Sequence, residues 1–66
     1  MQIVLNGEEV KVKANITVLD LVNQYELSPQ KVAIELNLTI IDRDKYQDIN
    51  LFEGDKVEIV EFVGGG

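Results

Sequence analysis

The chain contains no cysteine and no histidine. Without cysteine there is no disulfide framework, no thiol nucleophile and no thiolate ligand for zinc; without histidine there is no imidazole ligand and no histidine-based triad. Carboxylates, lysine, tyrosine and hydroxyls are all that remain for acid–base work, and independent catalysis is not expected. Long apolar runs are missing too, so no segment reads as a membrane span. The opening QIVLNGEE lacks the basic start and apolar stretch of a secretory signal, and the expected location is the cytoplasm. Positive charge is scarce: six Lys and Arg stand against twelve Asp and Glu, a net charge of −6. Phosphate backbones would repel such a surface, which argues against nucleic acid. A partner with a basic patch would be attracted to it. Solubility alone accounts for the same charge equally well.

What is present describes one small domain. Its 66 residues, 45% hydrophobic and 27% charged, suit an ordinary globular fold with no room for a second. A chain this size buries only about 60% of its unfolded surface, too little for a deep private cavity.

Met1 to Val12 reads as a hairpin, with apolar and polar residues alternating on either side of Asn6-Gly7, the strongest short signal for a two-residue turn. Thr17 is placed to cap a helix, with Asp20 as the acidic partner of a capping box. Val18, Leu21, Val22 and Tyr25 follow as one apolar stripe, and Pro29 disfavours helix at Ser28 and closes the element. Val32–Leu36 reads as a strand, Asn37-Leu38 as a turn, and Thr39–Ile41 as a short strand. Asp42–Asn50 is polar and irregular, with room for one helical turn. A turn at Glu53-Gly54-Asp55 precedes a last strand, Lys56–Phe62. One helix over one face of a mixed sheet is an α+β arrangement. With the first and last strands paired at its centre and the hairpins outside, it is the β-grasp of ubiquitin.

Most candidate sites reduce to ordinary surface. Asp42, Asp44 and Asp48 lack the glycine and oxygen ligands of an EF-hand loop and read as a solvated acidic loop. Glu8-Glu9 reads as hairpin surface. Gly7 and Gly54 are isolated turn glycines, and the terminal triplet leads into no helix, so no phosphate loop is expected.

The last strand differs. If Val57 and Ile59 face the helix, Glu58, Val60 and Phe62 face the other way. Val60 and Phe62 then form a small apolar patch on the outer face, beside Val4, directly before Gly64-Gly65-Gly66. Glycine loses the most freedom on ordering, so this triplet contributes almost nothing to folding. It is either an appended or frayed end, or a working terminus. Three glycines reach at most about 10 Å and can pass a channel too narrow for side chains. The α-carboxylate beyond them has an ordinary pKa of about 3.5 and can attack a nucleotide α-phosphate.

Met1-Gln2-Ile3-Val4-Leu5-Asn6-Gly7-Glu8, Thr17-Val18-Leu19-Asp20-Leu21, Val32-Ala33-Ile34-Glu35-Leu36-Asn37 and Gly54-Asp55-Lys56-Val57-Glu58-Ile59-Val60 running into Val63-Gly64-Gly65-Gly66 together give the chain a recognisable pattern. Over its whole length it resembles the ThiS family, the ubiquitin-like β-grasp sulfur carriers of thiamine biosynthesis. The resemblance implies a β-grasp domain over residues 1–63 and a glycine tail over 64–66. A ThiF-type activating enzyme would adenylate the carboxylate of Gly66 with ATP. Sulfur from a donor protein would displace the adenylate to leave a thiocarboxylate, and thiazole synthase would take that sulfur for the thiazole ring. Gly64 and Gly65 would thread the tail into these partners, with Val60, Phe62 and Val63 as the docking face. The chain would be a co-substrate and not an enzyme, binding no cofactor itself; ATP, magnesium and any zinc would belong to the activating enzyme. Two alternatives stand beside this reading. One is the small subunit of molybdopterin synthase, generally longer and different before Gly-Gly. The other is a plain β-grasp interaction module with an inert tail.

Overall fold

The computed structural model describes residues 1–62. Asn6 and Gly7 take φ of 50° and 84°, the pair of left-handed residues that a tight hairpin turn needs. They join β1 (Gln2–Leu5) to β2 (Glu8–Lys11) in antiparallel register, with Ile3 opposite Val10.

Helix α1 (Val18–Gln24) begins with the expected reciprocal cap. Asp20 N–H donates to Thr17 Oγ1 at 3.0 Å, and Thr17 N–H donates to Asp20 Oδ2 at 3.1 Å. The next orphan donors of the first turn are met from far along the chain. Val18 N–H reaches Ile49 O at 2.9 Å and Leu19 N–H reaches Tyr46 O at 3.0 Å, so backbone bonds as well as side-chain caps hold the helix start.

Its end corrects the expectation. Pro29 does not stop the helix, because Glu26 has already turned left-handed at φ 58°. Glu26 N–H donates to Asn23 O at 3.0 Å and Leu27 N–H to Val22 O at 3.1 Å. That is a Schellman motif built on glutamate in place of glycine. Pro29 instead opens a short 3₁₀ turn, Pro29–Lys31, where its fixed φ suits the first position. The early stop also moves Tyr25 out of the apolar stripe. It is 43% exposed while Val18, Leu21 and Val22 are fully buried, and it lines a shallow groove with Leu5, Val10, Leu27 and Ile59.

Strands β3 (Val32–Leu36) and β4 (Thr39–Ile40) form the second hairpin, and β5 (Lys56–Glu61) follows a turn with Gly54 at φ 83°. The second hairpin turns through Asn37 and Leu38, both left-handed at φ 50° and 72°. The sheet order is β2-β1-β5-β3-β4, with β1 and β5 parallel at the centre and β3 antiparallel to β5. This is the β-grasp order read from the sequence. The core lies between α1 and one sheet face, where Ile3, Ile34 and Val57 meet Val18, Leu21 and Val22.

The Asp42–Asn50 stretch is less of a surface loop than its polarity suggests. It holds one 3₁₀ turn, Arg43–Lys45, then drops Tyr46 into the core, and Leu51 follows just beyond it. Burying tyrosine is tolerable because its hydroxyl keeps an acceptor, Val32 O at 3.4 Å. Asp42, Asp44 and Asp48 stay exposed, and among the described residues no cluster of acidic side chains could hold a metal ion. No helix among them is long and apolar enough to cross a membrane.

Candidate functional site

Strand β5 carries both the centre of the fold and the approach to the tail. Its alternation Lys-Val-Glu-Ile-Val-Glu sends odd and even positions to opposite faces. Val57 is fully buried under α1, whereas Val60 is 59% and Phe62 54% exposed. The parity expected from the sequence is the one observed, and Val60 and Phe62 lie on the face away from the helix.

Register defines their surroundings. Val60 stands opposite Ala33, Glu58 opposite Glu35, and Glu35 opposite Ile40. The exposed Ile40 therefore shares the outer face. Sequence reading missed it, although period-two alternation carried across the β3–β4 turn would have found it. Val4 is also on this face but not beside Val60. It pairs with Lys56, four residues earlier along β5, because β1 runs alongside only the start of that strand. Val4 is thus partly buried among charged neighbours, not part of the patch around Val60.

The exit from the sheet is held by a hydrogen bond beyond the strand itself. Phe62 N–H donates to Lys31 O at 2.8 Å, so pairing with the β3 side continues one residue past Glu61. The parallel side is secured differently: Asn6 uses its side-chain oxygen to accept the Ile59 N–H at 2.8 Å. Val63, Gly64, Gly65 and Gly66 lie outside the described residues. What remains on view is an apolar face of Val60 and Phe62, with Ala33 between strands and Lys31, Glu35 and Glu58 around it, at the point where the chain leaves the sheet.

Comparison with known proteins places this arrangement. The ThiS family model matches residues 2–66. The chain belongs to the ThiS family. It is 43% identical over 63 residues to the sulfur carrier protein ThiS of Bacillus subtilis, covering 94% of this chain and 96% of that protein. The solved structure of the thiamine biosynthesis protein ThiS from Geobacter metallireducens superposes with a TM-score of 0.85 at 28% identity, each chain fully covered. A thiazole synthase of Paramagnetospirillum magneticum is 42% identical over 66 residues, but there the chain spans only 20% of the relative's length. The ThiS family thus accounts for the fold seen here, and a ThiS-like segment also occurs within a much longer protein.

Proposed function

We propose that this chain is a sulfur carrier of thiamine biosynthesis whose reactive group is the α-carboxylate of Gly66. The observation that carries the reading is the extent of the family match, which runs through the glycines to residue 66. The triplet belongs to the family pattern, which weighs against an appended end.

The chemistry follows from what the tail can do. A Gly66 carboxylate oxygen attacks the α-phosphorus of ATP, and pyrophosphate leaves as the acyl adenylate forms. Hydrosulfide then attacks the carbonyl carbon and AMP leaves with the carboxylate oxygen that attacked phosphorus, giving the thiocarboxylate. In this reading ATP and its magnesium ion belong to a ThiF-type activating enzyme. Gly64 and Gly65 let the backbone enter a channel that any Cβ would obstruct. Val60, Phe62 and Val63 form the face that docks, with an exposed aromatic as the natural anchor. The acidic surface favours encounter with basic rims on the enzymes.

Thiazole synthase is the recipient this reading names. A relative bearing that name contains a segment like this chain within its own length, which supports a working association between the two activities. The proposed location is the cytoplasm, a compartment that supplies ATP.

The test is pyrophosphate exchange with the activating enzyme. The full chain is expected to support exchange, and a chain lacking Gly66 is expected to lose it while keeping its melting temperature. A truncated chain that still exchanged pyrophosphate would remove Gly66 from the reaction.

A further inference from the structure

Strand β3 is paired along its whole length on one edge only. The Phe62 bond to Lys31 and the register of β3 with β5 direct the backbone groups of Lys31, Ala33 and Glu35 toward β5. Those of Val32, Ile34 and Leu36 must point the other way, toward β4. But β4 is two residues long, and its side of the ladder ends with Ile41 N–H on Ile34 O at 2.9 Å. Past that point the carbonyls of Val32 and Pro29 have no strand beside them.

Side chains take its place. Arg43 Nε donates to Pro29 O at 2.7 Å, and its Nη2 reaches Val32 O at 3.5 Å. Tyr46 Oη donates to the same Val32 O at 3.4 Å. The Nε bond is short and charge-assisted, the strong member of the set. The stretch from Pro29 to Val32 is therefore gripped on one edge by Arg43 and Tyr46, while Lys31 on its other edge holds the Phe62 N–H.

We propose that Arg43 is a positioning residue for the carrier tail: through Pro29 and Val32 it fixes the segment that anchors Phe62, and so sets the place and direction from which residues 63–66 leave the domain. This rests on the reading of Gly66 as the reactive end. Arg43 is exposed and contributes nothing to the buried core, so its bonds to Pro29 and Val32 are local in effect. A tail that must enter a narrow channel gains from a fixed root, because ordering settled beforehand need not be supplied on binding.

The experiment uses the full chain with Arg43→Ala and Arg43→Lys, and reads amide hydrogen exchange, thermal melting and pyrophosphate exchange with the activating enzyme. In Arg43→Ala the Phe62 amide should exchange about tenfold faster, as expected when a charge-assisted bond supporting it is lost. Exchange at Val57 and the melting temperature should hardly move. The lost preorganisation should appear as a KM raised several-fold with kcat nearly kept. Arg43→Lys keeps the charge but not the planar fork, so it should resemble Arg43→Ala. Unchanged Phe62 exchange in Arg43→Ala would overturn the proposal, as would unchanged KM despite faster exchange. If Arg43→Lys restored KM without restoring Phe62 protection, the charge would be meeting the enzyme directly and positioning would be wrong. A wild-type chain inert toward the enzyme would overturn the carrier reading, and the proposal with it. An active wild type with an equally active Arg43→Ala would overturn the proposal alone.

Discussion

The two faces of the β3–β5 ladder are one residue apart in sequence and opposite in exposure. On the helix side Ile34 stands across from Ile59, with Val57 nearby, and Ile34 and Val57 are sealed under α1. On the outer side Ala33 stands across from Val60, and Phe62 follows, both aromatic ring and valine open to solvent. Apolar residues occur on both faces, but on the outer one Val60 and Phe62 stand among Lys31, Glu35 and Glu58, whereas Ile34, Ile59 and Val57 have apolar neighbours. With docking placed on the outer face as proposed, one strand would serve folding and docking at once, because alternate residues answer to different demands.

The sharpest way to break that comparison is to truncate the buried side. Ile34→Ala is expected to cost about 2–5 kcal/mol of stability, read by urea or thermal unfolding, since it leaves a cavity in a tight core. A domain of this size has about 3–10 kcal/mol in all. Survival of Ile34→Ala with a near-normal midpoint would mean that the helix-side face is not the core.

On the outer side the same kind of truncation should act on binding instead. Phe62→Ala is expected to shift stability by less than about 0.5 kcal/mol. It should weaken binding to the activating enzyme by about 2 kcal/mol or more, roughly 30-fold, as for an interface anchor. Titration calorimetry beside a melting curve separates the two. A fall in stability of about 3–5 kcal/mol would instead make Phe62 a core residue.

The smallest effect sharpens the boundary of the face. Ile40→Thr keeps a β-branched side chain on an exposed strand and should leave stability within about 0.5 kcal/mol of the parent. Its binding loss should be smaller than that of Phe62→Ala if docking centres on β5. An equal loss would extend the docking face across β3 to β4.

Much of this was legible in the amino acids because local chemistry decided it. Asn6-Gly7 specified its turn, Thr17 and Asp20 the helix start, and alternation in Lys56–Phe62 the two faces of β5. What escaped depends on groups distant in sequence or on a residue in an unusual role. Helix α1 ends at a glutamate in the left-handed region, where glycine would have announced the stop and Pro29 misleadingly seemed to. Tyr46 and Leu51 lie in and just after a polar run, and their burial goes with backbone bonds to a distant segment, Leu19 N–H to Tyr46 O and Leu51 N–H to Ile16 O. Val4 was assigned to the correct face but to the wrong neighbour, since parity is written in each strand and the offset between β1 and β5 is not. Arg43 gave no signal at all, because its acceptors are two backbone carbonyls on another segment.

In the proposed function the end of the chain performs the chemistry while the domain presents it. Intact-mass measurement tests this most directly. The chain is incubated with the activating enzyme, ATP and sulfide, and fragmentation then locates any change. Replacement of one oxygen by sulfur is expected, confined to Gly66 and absent when ATP is withheld. An unchanged mass after ATP has been consumed, or sulfur found anywhere other than Gly66, would contradict it.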